Sequence, residues 1–158
     1  MNLLRKDGVT LKKTLLIVAI ISLTIFGIYS FSKIYFEPPM PEVSIKNNKV
    51  PTTQGSYCWK VLGFGHCVDK IYSSPFEMGS ELPPIGVMPN SEIKIQFKSK
   101  PLSESLVVEL WLDENTKEII EINNNKIKVP SQKGVYIYHI TSNWKQGDSS
   151  YAFSVEVE

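Results

Sequence analysis

The chain predicts an all-β domain, an antiparallel sandwich of about seven short strands, preceded by one transmembrane helix. Three observations carry this reading. Past residue 42 the apolar residues recur with a period of two, and no 3.6-residue periodicity persists for three turns. Clusters of turn-forming residues separate these runs at roughly 8 to 12 residue intervals, as in all-β domains. Only one segment, Thr14 to Ser32, is long and apolar enough to cross a bilayer.

That segment has no charged residue and is bracketed by Lys12, Lys13 and Lys33. Arg5, Lys6, Lys12 and Lys13 precede it with only Asp7 against them, so the positive-inside bias keeps residues 1–13 cytoplasmic as a short tail. Residues 14–32 then form an uncleaved signal-anchor in the cell membrane, and the C-terminal domain is extracellular. A cleaved signal peptide is the competing reading, with Ser30-Phe31-Ser32 as the cleavage site. The apolar run exceeds a usual signal core, however, and Tyr29, Phe31, Tyr35 and Phe36 cluster as an interfacial aromatic belt does. No cysteine precedes Cys58, so the chain has no lipobox-type site for a lipid anchor. The tail is too short for a signalling domain, and the anchor lacks a glycine-type small-xxx-small pair for tight helix dimerisation.

Residues 33–42 include Pro38, Pro39 and Pro41, which fix φ and remove backbone donors; they read as a stiff stalk. Residues 43–158 are enough for one domain with its own core. From Lys33 onward there are 13 lysines, no arginine and 15 acidic residues. This slightly acidic balance argues against nucleic acid as a partner, and the lack of arginine argues against bidentate anion recognition.

Within the domain, Ile93, Ile95 and Phe97 alternate with Lys94, Gln96 and Lys98, and Tyr151, Phe153, Val155 and Val157 alternate with Ala152, Ser154 and Glu156. Both patterns predict half-buried strands. Leu106, Val108, Leu110 and Leu112 form a third apolar row, and Val135 to Ile140 is apolar or aromatic on both sides, as a central strand is. Turns fall at Lys100-Pro101, Asp113-Glu114-Asn115, Asn123-Asn124-Asn125, Lys133-Gly134 and Gln146-Gly147-Asp148.

Gly134-Val135-Tyr136-Ile137-Tyr138 resembles the Gly-x-Tyr-x-Cys step of immunoglobulin-like domains. The resemblance implies an immunoglobulin-like sandwich in which Tyr136 caps a corner by bonding a nearby carbonyl. Tyr138 stands where antibody domains carry a cysteine, so their inter-sheet disulfide is missing. The resemblance concerns architecture and implies no function.

Val50-Pro51-Thr52-Thr53-Gln54-Gly55-Ser56-Tyr57-Cys58-Trp59, followed by Cys67-Val68-Asp69, resembles the opening of small uncharacterised exported proteins of Gram-positive, Bacillus-like bacteria, held by a membrane anchor or a lipid. The resemblance implies export and membrane attachment, and no activity. Lipid-anchored versions carry an N-terminal cysteine that this chain lacks.

Cys58 and Cys67 lie in the exported part, where the compartment permits a disulfide. An internal bridge closing this short loop is worth about 2.5–3 kcal/mol by chain entropy; two buried thiols are the alternative. Between the cysteines, Lys60-Val61-Leu62-Gly63-Phe64-Gly65-His66 sets a Phe between glycines. One reading is a rigid apolar knob of Leu62 and Phe64 offered to a partner or to lipid headgroups. The other is a hairpin whose Phe64 folds under to finish the core.

Little else carries chemistry. His66, Cys58, Cys67 and Asp69 lack the spacing of a zinc site, and no Asp-x-Asp-x-Asp-Gly loop surrounds Asp113, Glu114 or Asp148 for calcium. Thus no metal or cofactor is expected. His66 and His139 are the only imidazoles; there is no Gly-x-Ser-x-Gly elbow, and His139 alternates with Val135 and Ile137 as a packed or edge histidine does. No catalysis is expected. Trp59, beside Cys58, and Trp144, before the Gly147 turn, have core-like settings, whereas Trp111 shares a face with Glu109 and Asp113 and is a candidate exposed platform for a glycan. The expected role is that of a membrane-anchored extracytoplasmic binding or accessory domain contacting an envelope protein or cell-wall component. A small-ligand or glycan-binding sensor or carrier is the alternative, and a wall-facing hydrolase a more distant one.

Overall fold

The computed structural model describes residues 4–46 and 48–158. It divides into two units, Met1–Glu37 and Pro38–Glu158. The first is one helix, α1, Leu4–Phe36. Its stretch Leu11–Ser30 has a mean hydropathy of 2.0 and is unburied, long and apolar enough to cross a membrane; a signal sequence has the same length and composition. Residues 33–36, expected in the stalk, continue the helix. It stops just before Glu37-Pro38, because proline disfavours helical backbone in the residue ahead of it.

The second unit is built almost entirely of strands: β1 Pro41–Ile45, β2 Asn48–Val50, β3 Thr53–Val61, β4 Phe64–Val68, β5 Ile85–Val87, β6 Glu92–Phe97, β7 Val107–Trp111, β8 Lys117–Ile119, β9 Lys126–Lys128, β10 Gly134–Trp144 and β11 Gly147–Val157. A single short helix, α2, Pro75–Ser80, lies between β4 and β5. The described residues thus hold eleven strands where about seven were expected. Four of them, β2, β5, β8 and β9, have three residues each, too few for alternation to register. Pro41, expected in the stalk, opens β1, a position that tolerates its missing donor.

The strands form two sheets. One has the order β2-β1-β6-β9, the other β4-β3-β11-β10-β7-β8 with β5 added in parallel against the end of β11; all other pairings are antiparallel. The inward rows of both sheets merge into one core: Val43, Ile45, Val50, Ile93, Ile95 and Ile127 from the smaller sheet, and Tyr57, Trp59, Val108, Leu110, Tyr138, Ile140, Trp144, Tyr151, Phe153, Val155 and Val157 from the larger. Full burial of such side chains is worth about 1.5–3 kcal/mol each. Trp144 packs edge-on against Trp59 and Phe97 with centroids 5.6 and 5.2 Å away, and Tyr138 stacks on Phe153 at 5.0 Å. Trp59 thus meets Trp144 in the core, the setting expected for both. Neighbouring strand residues point to opposite faces, so Cys58 faces out where Trp59 faces in.

The long hairpin β10–β11 forms the middle of the larger sheet. At its start, the hydroxyl of Tyr136 in β10 donates to the Gln132 carbonyl at 3.0 Å, the corner bond expected from the sequence. Ala152 and Ser154, read as solvent-facing alternates, are buried. The cause is α2 and the segment after it: α2 packs on the outer face of the larger sheet over Ala152, and the Ser154 hydroxyl donates to the Leu82 carbonyl at 3.3 Å. Ser74 caps α2 by accepting the Glu77 N–H at 3.1 Å, and Pro75 occupies its first turn. It lies so close to β10 that a Cβ on Gly79 would sit 2.3 Å from the Ile137 Cγ2.

Candidate functional site

The β3–β4 hairpin follows from its central dipeptide. A two-residue connection whose backbone twist matches the strands needs positive φ at both positions. Gly63 supplies it freely at 87°, while Leu62 adopts 52° despite its Cβ. Val61 pairs with Phe64, Trp59 with His66 and Tyr57 with Val68 across the hairpin. Between these pairs Cys58 stands directly opposite Cys67, with Cα atoms 4.0 Å apart and the disulfide formed. The bridge clamps the hairpin on its outward face.

The clamped tip is apolar and in solvent. Leu62 is 83% and Phe64 77% exposed, so Phe64 does not fold under to complete the core. The reason is topological: β4 is the terminal strand of the larger sheet, and its residues Phe64 to Cys67 are all exposed. Lys60 and His66, the latter edge-on to Tyr57 at 5.8 Å, complete the surface.

Trp111 lies elsewhere. Three strands, β3, β11 and β10, separate its strand from β4, about 19 Å at ordinary strand spacing. Its indole N–H donates to Glu109 Oε2 at 3.2 Å, and the Lys117 ammonium sits 5.2 Å from the ring centroid. The expected open platform is thus half-buried and has a cation over its ring.

Sequence reasoning missed the group around it. His139 pairs directly with Glu109 across β10 and β7, and its Nδ1 donates to Glu109 Oε2 at 3.1 Å; Lys117 Nζ bonds Oε1 at 2.6 Å. Burial pushes the Glu109 carboxyl up, but the bonds from Lys117, His139 and Trp111 outweigh it and hold the group below its usual range. For His139, burial dominates and lowers the imidazole despite the carboxylate, so it is neutral at pH 7.

His139 also borders a cavity of about 190 Å³ with Ser56, Lys70, Tyr72, Ser74 and Ser150. These polar groups serve the local structure: Ser74 caps α2, Ser56 accepts the Lys70 N–H at 3.0 Å, and Tyr72 donates to Glu81 at 2.6 Å. The hydrogen bond of His139 among the described residues is to Glu109. No group of three His, Cys, Asp or Glu residues among them is placed to hold a metal ion.

The fold and site together define the architecture: an apolar helix followed by a two-sheet β domain with a disulfide-clamped, apolar hairpin at one sheet edge. Comparison of the chain with protein-family models, curated proteins and solved structures finds no match.

Proposed function

We propose that this protein is a membrane-anchored binding or accessory domain whose hairpin tip contacts another envelope protein or a cell-wall component. One observation carries the reading: Leu62 and Phe64 stand in solvent at the end of a hairpin clamped by Cys58–Cys67. A rigid apolar tip loses little conformational entropy on docking, which makes its burial effective. Leu62 strengthens the case, because a bulky residue in left-handed backbone is a local strain of the kind that accompanies recognition.

In this reading α1 is the single membrane span. Arg5, Lys6, Lys12 and Lys13 hold its N-terminal end in the cytoplasm, and the β domain lies outside the cell. The immunoglobulin-like comparison is supported by the Tyr136 corner bond and serves as scaffold only. The reading includes no catalytic step and no nucleic acid. It also draws on the likeness of the Gly55 to Trp59 and Cys67 to Asp69 segments to small exported proteins of Gram-positive bacteria.

A cross-linking pull-down from membranes tests it, comparing the intact protein with Phe64→Ala and Leu62→Ala, each checked for folding by circular dichroism. A partner captured by the native chain and lost from both folded variants is expected. Identical partner sets from all three would refute the role of the tip.

A further inference from the structure

The outer edge of β4 differs from the other strands that end the two sheet orders. β2, β8 and β9 are three residues long and each carries lysine, as edges guarded against pairing do. β4 is five residues long, Phe64-Gly65-His66-Cys67-Val68, with no Lys, Asp, Glu or Pro.

Its backbone polarity is fixed by β3. The Lys60 N–H leaves the hairpin to bond the Gln146 carbonyl at 2.8 Å, and the Cys58 carbonyl faces Gly147, where a Cβ would stand 1.9 Å from it. Lys60 and Cys58 therefore bond towards β11, and their partners Gly65 and Cys67 form the non-hydrogen-bonded pairs of the hairpin. The short Cys58–Cys67 Cα separation of 4.0 Å agrees. It follows that the N–H and C=O groups of Gly65 and Cys67 point away from β3, along the free edge.

We propose that this edge pairs with β4 of a second copy of the chain, antiparallel, with Gly65 opposite Cys67 of the second copy. That two-fold register satisfies all four outward groups of each strand. A shift that sets Gly65 opposite Gly65 leaves the Cys67 groups facing the turn. The register is self-complementary in side chains as well: Phe64 meets Val68 of the second copy, His66 meets His66, and no like charges oppose one another. The proposal rests on the hairpin as a recognition element, but it names a different occupant and a different surface, the backbone edge rather than the Leu62 tip.

The test uses the full-length chain in membranes, with a photoreactive His66→p-benzoylphenylalanine substitution. A covalent homodimer is expected, with the cross-link inside residues 64–68 of the second copy. Gly65→Pro removes an outward donor without touching the β3–β4 bonds, and should lower the dimer yield at least tenfold while the Cys58–Cys67 bridge still forms. Should Gly65→Pro fail to fold, Phe64→Lys, a change of an exposed side chain, gives the same expected loss. No homodimer, a dimer that persists in the folded variant, or adducts to lipid or to a different protein would each overturn the proposal. Leu62→Asp separates the two readings. It should abolish capture of an envelope partner and leave the homodimer intact; capture lost with no homodimer in the parent chain leaves only the functional reading standing.

Discussion

The Nδ1 of His139 lies 3.1 Å from Glu109 Oε2, two residues thirty positions apart in the chain that the β7–β10 register sets face to face. The same carboxylate accepts the Trp111 indole N–H and the Lys117 ammonium, so one side chain satisfies three donors on the outer face of the larger sheet. Glu109→Ala leaves the partly buried indole and imidazole donors without it. A loss of about 1–3 kcal/mol is expected in urea unfolding, with Glu109→Gln costing less because its amide oxygen still accepts.

The pH dependence follows from the directions of the two shifts. Both the His139 imidazole and the Glu109 carboxyl titrate lower in the folded protein than in the unfolded chain. The unfolded state thus binds more protons below the ordinary imidazole and carboxylate values. Their contribution is present above about pH 6.5, and it fades as pH falls through the folded values. Thermal unfolding of the full chain should show a melting temperature that declines from pH 7 to pH 5, with a shallower decline in His139→Asn. Equal slopes would show that His139 carries none of it.

Leu62 is expected to trade stability against recognition. Its left-handed φ of 52° costs roughly 1–2 kcal/mol relative to a residue suited to that backbone. Leu62→Gly or Leu62→Asn should therefore raise the urea midpoint, at unchanged m-value, while partner capture falls. A variant that is both more stable and fully competent in capture would remove the functional reason for the leucine.

Two core tyrosines should respond in opposite directions. The Tyr151 hydroxyl donates to the Pro39 carbonyl at 2.8 Å, so Tyr151→Phe is expected to cost about 0.5–1.5 kcal/mol. The Tyr138 hydroxyl is buried with no partner among the described residues, and burial raises its pKa far above the usual range. Tyr138→Phe keeps the stack on Phe153 and removes an unsatisfied group, so it should be neutral or stabilising. Parallel unfolding curves of the two variants decide this.

Gly79→Ala should cost about 1–3 kcal/mol by overpacking, because its new methyl would stand 2.3 Å from the Ile137 Cγ2 unless α2 shifts. In an Ile137→Ala background, which lacks that Cγ2, the same glycine change is expected to cost less. An equal cost would place the strain elsewhere.

Much of the strand layout is legible in the sequence because burial on one face imposes a period of two. Ile93, Ile95, Val108, Leu110, Tyr151, Phe153, Val155 and Val157 all point into the core that their alternation predicts. The three-residue strands are not legible, since three positions cannot display a period. Nor is α2, which with the Leu82 segment after it covers Ala152 and Ser154 and so buries residues that alternation alone assigns to solvent.

The sequence by itself determined an apolar segment of membrane-spanning length, a largely β domain after it, the Tyr136 corner and a cysteine pair close enough in the chain to clamp a hairpin. Each of these is a local pattern, readable from neighbours within a few residues. Only the tertiary structure decided that Phe64 stays in solvent, that Trp111 lies under Lys117, and that Glu109 meets His139. Those outcomes depend on which strand ends the sheet and which register joins β7 to β10. Such choices are settled by non-local pairing and by the shared core, which no short window of sequence contains.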